Sequence, residues 1–186
     1  MADPIELTLP ADRDALLALR AGDAVLLSGP VFAARDATHE HLVAELERDG
    51  KLPYGLEGAT LFYAGPTPAA AGRVVGAVGP TTARRMDAWT PRLLAAGIVA
   101  TIGKGPRSHE VRSSCAAKGC VYFAAVGGAA ALLARSVTAV ETVAYPELGT
   151  EALVRMTLES FPVFVAIDSA GGDLYAAAAA EWSEEA

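Results

Sequence analysis

Three times in this chain a short apolar stretch ends in a glycine-containing segment that runs into a helix start carrying cations. The first is Ser28-Gly29-Pro30 leading to Arg35-Asp36. The second is Gly79-Pro80-Thr81-Thr82-Ala83-Arg84-Arg85, and the third is Gly103-Lys104-Gly105-Pro106-Arg107-Ser108. Repeated strand, loop and helix units predict strands joined by helices and packed in layers. The 186 residues suit one domain. A hydrophobic share of 52% against a charged share of 20% supplies a core and excludes wholesale disorder.

Apolar patterning predicts strands over 5–9, 24–27, 59–64, 98–102, 121–124 and 137–143. Two more are expected over 153–158 and 163–167, separated at Phe161-Pro162, with a turn over 168–173. Asp36 reads as the N-cap of a helix with Leu42, Val43 and Leu46 on one face and Gly50 as its stop. A helix is expected to open at Gly79-Pro80-Thr81-Thr82, with Met86 and Trp89 at helical spacing. Thr90-Pro91 restarts it as N-cap and first residue, and Gly97 ends it. A further helix follows Ser108. Strands alternate with helices in the middle and dominate both ends, which predicts an α/β fold with a mixed sheet flanked by helices. The expected domain is 1–175, followed by an Ala-rich, acidic tail over 176–186.

The three helix starts are where chemistry is expected. Free backbone N–H groups and the helix dipole attract anions there, and arginine adds a planar fork that fits a carboxylate. Between Arg84 and Lys118 seven cations stand against two acids, about +5 locally, within a chain of net charge -7. Arg92, Arg112 and Lys118 read as solvated helix faces. The acidic total, with pI near 4.9, argues against nucleic acid and anionic membranes as partners.

Other chemistries lack support. Gly97 to Lys104 approaches a phosphate loop, but Gly105 stands where a hydroxyl would hold magnesium. Ser108 and His109 lack a nucleophile-elbow context. His39 sits one turn into its helix, where it either orients a ligand or supports the turn, and His41 and His109 read as surface residues. Cys115 and Cys120 have no zinc-ligand partners and read as reduced thiols. No basic-then-apolar leader precedes the first strand, and no apolar run reaches spanning length, so a cytoplasmic protein is expected. Thr81 is the one hydroxyl between loop and cations, and an unaided alcohol is a poor base. These groups amount to half of an active site.

The segment Gly79-Pro80-Thr81-Thr82-Ala83-Arg84-Arg85-Met86-Asp87 resembles the signature of the class I fumarate hydratase and L(+)-tartrate dehydratase family, in its β subunit or C-terminal domain. Other segments agree in order: Ser28-Gly29-Pro30 through Ala34-Arg35-Asp36-Ala37-Thr38-His39, Tyr63-Ala64-Gly65-Pro66-Thr67, Gly103-Lys104-Gly105-Pro106-Arg107-Ser108, and Glu147-Leu148-Gly149-Thr150-Glu151-Ala152 with Phe161-Pro162. The resemblance implies a swivelling β/β/α domain and reversible hydration of a C4 dicarboxylate such as fumarate, or dehydration of tartrate. It implies a 4Fe–4S cluster carried by an α subunit, with Cys115 and Cys120 matching none of its ligands, and an α2β2 assembly. It implies Thr81 as catalytic base and Arg35, Arg85 and Lys104 as substrate ligands. Arg84 departs from the family, which often has a small residue there. A stand-alone module binding small carboxylates or phosphates is the competing expectation.

Overall fold

The computed structural model describes residues 3–184, so the last two residues of the expected tail lie outside the described residues. In chain order the elements are β1 (Ile5–Thr8), α1 (Arg13–Ala18), β2 (Ala24–Ala33), α2 (Asp36–Asp49), β3 (Thr60–Phe62), α3 (Thr90–Ala96), β4 (Ala100–Gly103), α4 (His109–Lys118), β5 (Val121–Ala124), α5 (Ala130–Leu133), β6 (Val137–Ala144), β7 (Leu153–Ile167) and α6 (Leu174–Glu184). Short 3-10 turns occupy Ala83–Met86, Ala134–Ser136 and Pro146–Glu151. No described helix is long and apolar enough to cross a membrane.

The seven strands form one mixed sheet in the order β1-β2-β3-β4-β5-β7-β6, and β2 also pairs with β7. That extra pairing closes β2, β3, β4, β5 and β7 into a five-stranded barrel. The first five strands run parallel to one another, while β7 is antiparallel to β2, β5 and β6. β3, β4 and β5 are buried at every residue, as parallel strands covered on both faces require. Neighbours along them alternate between two cores. Phe62, Ile102, Val121 and Phe123 join Leu27, Phe161 and Val165 in one cluster. Leu61, Tyr63 and Tyr122 join Leu42 of α2, Leu93 and Leu94 of α3 and Val111 of α4 in the other.

Three expectations are corrected. The stretch expected to end as a strand at Leu27 continues through Ser28-Gly29-Pro30 to Ala33, so the first of the three glycine segments is strand, not loop. Likewise Phe161-Pro162 lies within a single fifteen-residue β7. The physical reason is a β-bulge: Leu27 pairs with Phe161 and Gly29 with Leu158, so Glu159 and Ser160 together face Ser28. Ser160 takes a left-handed φ of 48° and its N–H donates to Ser28 Oγ at 3.0 Å. The bulge bends both strands and accommodates the proline that a straight central strand excludes. Finally, the helix expected from Gly79 is only the 3-10 turn Ala83–Met86, and the expected caps Asp36 and Thr90 are the first helical residues of α2 and α3, with Arg35 and Trp89 in the N-cap places. Gly50 and Gly97 end α2 and α3 as expected.

Gly29 is the tightest point of β2. Its φ is 116°, and a Cβ there would stand 2.3 Å from the Leu9 carbonyl oxygen. Leu9 N–H donates to Ser28 O at 2.7 Å, so neither backbone can retreat without losing that bond. Gly29→Ala is therefore expected to destabilise the chain by at least about 3 kcal/mol in urea unfolding, strain and clash together. Gly50→Ala, with a φ of 69° and open space around the new methyl, should cost about 1 kcal/mol. Equal losses at the two sites would show that the Leu9 contact is not the constraint.

Candidate active site at the strand ends

The carboxyl ends of β2, β3 and β4 lie side by side, and each sends out one part of the candidate site. Arg35 follows β2 by two residues, at the N-cap of α2. Tyr63 follows β3 directly, and its carbonyl accepts from Thr81 N–H at 2.7 Å. Lys104 follows β4 directly; its N–H donates to Thr81 O at 3.1 Å, and its carbonyl accepts from Ala83 N–H at 2.9 Å. Thr81 is thus strapped between two strand ends, and Arg85 comes one turn later on the 3-10 turn. Ligands in α/β sheets bind at such carboxyl ends. The four residues singled out from the sequence, Arg35, Thr81, Arg85 and Lys104, share this rim.

The two arginines are tethered. Arg85 Nε–H donates to Asp36 Oδ1 at 2.9 Å, with the arginine side chain 50% exposed. Arg35 Nη2 lies 3.3 Å from Glu151 Oε1 and is 23% exposed. Glu151 also accepts from Ala37 N–H through Oε2 at 3.0 Å, and its carbonyl accepts from Thr38 Oγ1. Space for the cations comes from glycines. A Cβ on Gly65 would meet Arg35 Cδ and Nη1 at 3.0 Å, and one on Gly127, just beyond β5, would meet Lys104 Cδ at 2.8 Å. Thr81 Oγ1 is hydrogen-bonded to no titratable side chain among the described residues. Arg84 is exposed.

Some donors at the helix starts are engaged within the chain. At α4, Ser108 N–H donates to Asp87 Oδ2 at 2.6 Å, and Val111 N–H donates to the Ser108 cap. At α2 the anion is Glu151, and at the 3-10 turn Ala83 N–H is satisfied by Lys104 O. At each start some of the backbone donors are thus taken by the chain's own acceptors, and cationic side chains add to the attraction for an external anion.

Arg107, counted among the basic window's cations, is a buried strut. Its side chain has no exposure, and its Nε–H donates to Asp87 Oδ1 at 2.7 Å. Its terminal nitrogens donate to Thr90 Oγ1 at 2.8 Å, to Thr101 Oγ1 at 3.3 Å and to the Tyr63 hydroxyl at 3.4 Å. Its guanidinium lies over the Tyr63 and Tyr122 rings at 5.1 and 4.9 Å. Burial opposes the charge, but Tyr63 and Asp87 more than compensate and hold Arg107 ionised beyond its ordinary range. Asp87, Glu151 and Asp36 were not singled out as site residues from the sequence. The local signals were an acid directly after Arg35 and one two residues after Arg85; Glu151 reaches the rim from a distant segment.

His39 is fully buried and does not reach the rim. Its Nδ1 lies 2.7 Å from the Arg35 carbonyl, which fixes Nδ1 as donor and leaves Nε2 a bare acceptor with no partner. The ring meets Tyr63 edge-on, centroids 5.2 Å apart. Burial is the main cause that lowers its pKa from 6.5 to about 4, with Arg107 adding repulsion against a hydrogen bond that works the other way. His41 and His109 are exposed, as expected. Burial also pushes the Cys115 and Cys120 thiols up, to about 12 and about 11. A 4Fe–4S cluster is held by several thiolates gathered at one place, as a rule four. Two thiols, one donating to Ile98 O and with no further ligating side chains gathered around them among the described residues, do not make up such a set. No group of three or more metal-ligating side chains gathers among the described residues.

A family model described as Fumarase C-terminus matches residues 2–178. The chain is 35% identical over 175 residues to fumarate hydratase 2 of Leishmania major, covering 92% of this chain and 31% of that protein. It is 37% identical over 151 residues to the aerobic class I fumarate hydratase of Escherichia coli (strain K12), covering 80% of this chain and 28% of the relative. The chain therefore spans less than a third of the fumarate hydratases it matches. It is also 37% identical over 163 residues to a putative L(+)-tartrate dehydratase subunit beta of Methanocaldococcus jannaschii, covering 84% of both.

The His39 environment has a measurable consequence. A depressed folded pKa leaves stability intact above the unfolded value of 6.5 and removes it as pH falls towards 4. His39→Asn keeps a donor for the Arg35 carbonyl but cannot take a proton. Urea unfolding of both forms from pH 7 to pH 4 should show the wild type losing roughly 3 kcal/mol more than the variant. Parallel pH profiles would remove His39 as the cause.

Proposed function

The chain belongs to the fumarase C-terminal family, and from that premise we propose that it is the β subunit of an iron–sulfur-dependent hydro-lyase acting on a C4 dicarboxylate. The observation that carries this reading is the convergence of Arg35, Thr81, Arg85 and Lys104 on one rim from three neighbouring strand ends. A matched relative named as a putative L(+)-tartrate dehydratase subunit beta, with 84% of both chains covered, supports the β-subunit reading.

In this reading the closed sheet and its helices are the swivelling β/β/α domain of the family. Arg85, with its terminal amino groups clear of internal acceptors, forks one carboxylate of the substrate. Arg35 and Lys104 neutralise the second and fix the molecule's orientation, which lowers the barrier through positioning and charge stabilisation. Lys104 N–H donates to Thr81 O, which sets the lysine beside Thr81, and its ammonium stabilises the charge left when the substrate proton departs. Thr81 Oγ1 receives that proton after giving up its own hydroxyl proton to a base. Since no titratable side chain among the described residues hydrogen-bonds Oγ1, that base rests with the partner. The two thiols are too few and stand without further ligands among the described residues to hold the 4Fe–4S cluster, and we assign it to a cysteine-bearing α subunit in an α2β2 assembly in the cytoplasm.

The chain alone should be colourless and inactive towards fumarate and L(+)-tartrate. Anaerobic co-expression with its α partner should give a brown complex active on one of them. In that complex Arg85→Ala should lower kcat/KM by ~10²-fold or more. Hydration by the isolated chain, or an undiminished rate in the variant, would overturn the assignment.

A further inference from the structure

Both arginines of the rim are held by acids that stand where an incoming anion would be repelled. Arg85 is held at one atom only: Nε–H donates to Asp36 Oδ1 at 2.9 Å, and its two terminal amino groups have no acceptor among the described residues. A guanidinium can present a carboxylate with its side edge, which includes Nε, or its end edge, made of the two terminal nitrogens. With Nε engaged, only the end edge remains. Arg35 is the counterpart, engaged at Nη2 by Glu151, whose other oxygen is tied to Ala37 N–H at the start of α2. Asp36 is the first residue of α2, and its Oδ2 is buried with no hydrogen-bond partner, so the helix fixes where the carboxylate stands.

We propose that Asp36 is a positioning residue, which holds Arg85 by Nε so that the end edge of its guanidinium is aimed at a substrate carboxylate. This rests on the hydro-lyase reading of the same site. Two physical effects oppose each other here, and they differ in sign. If the charge of Asp36 dominated, its removal would strengthen dianion binding, because a negative charge beside the arginine would be gone. If orientation dominates, removal frees a long side chain to wander and weakens binding.

The test uses the complex with the α partner and the isolated full chain. In the complex, Asp36→Ala should raise KM for the dicarboxylate about tenfold. Asp36→Asn keeps an amide oxygen that accepts from Nε–H, and should restore KM to within about threefold of wild type. In the ¹⁵N-labelled full chain, the Arg85 Nε–H should exchange with water about tenfold more slowly than that of exposed Arg84. The difference should vanish in the Ala variant and persist in the Asn variant. A KM at or below wild type in Asp36→Ala overturns the proposal. So does equal exchange of Arg84 and Arg85 in the wild type, which is decisive even where the Ala variant fails to fold. A wild-type complex inactive on every C4 dicarboxylate refutes the hydro-lyase reading instead, and the exchange measurement then still decides whether Asp36 holds Arg85.

Discussion

The antiparallel pairing of β2 with β7 is the contact on which the rest of the molecule depends. Without it the strands would form an open sheet; with it, five of them close around an apolar interior. Closure demands bending, and the two Glu159-Ser160 residues facing Ser28 supply it. The same contact draws Gly29 against the Leu9 backbone, which brings β1 onto the barrel's flank. Once closed, the barrel fixes the carboxyl ends of β2, β3 and β4 relative to one another, and the rim inherits that rigidity.

A second constraint converts strand ends into a site. Arg107 and Asp87 form a buried pair that joins the loop after β4 to the segment after the 3-10 turn. With the backbone exchange between Thr81, Ala83 and Lys104, it makes the two segments one body. A buried pair of this kind contributes little net stability against an apolar substitute, because desolvating both charges is costly. Its value is definition: four polar partners and two aromatic faces admit a single placement of the guanidinium.

Much of the fold was legible because β3, β4 and β5 are buried on both faces and so read as continuous apolar runs. The helix stops at Gly50 and Gly97 were equally plain. The errors cluster where proline and glycine sit inside strands. Pro30 and Pro162 score locally as breakers, but each lies near a bulge whose other half is more than a hundred residues away. The rim cations were legible as residue types on a repeated pattern. Their acids were not: Glu151 reaches Arg35 across the fold, and Asp87 meets Arg107 through a helix start. Spacing along the chain carries no record of such pairings.

Those acids also change the meaning of the basic window. Seven cations against two acids suggested a local field that would draw anions. In space the field is reduced: three of the seven cations are paired, Arg107 with Asp87, and Arg85 and Arg92 with Asp36 and Glu47 of α2. An acidic chain gains little from long-range attraction of anions, which is screened beyond about 10 Å. Recognition of a small dianion on this rim therefore falls to short-range hydrogen-bond geometry, namely the free end of one tethered guanidinium, a second arginine and one lysine lying over a glycine. Discrimination by geometry rather than by field suits a site that must tell one small dicarboxylate from another of equal charge.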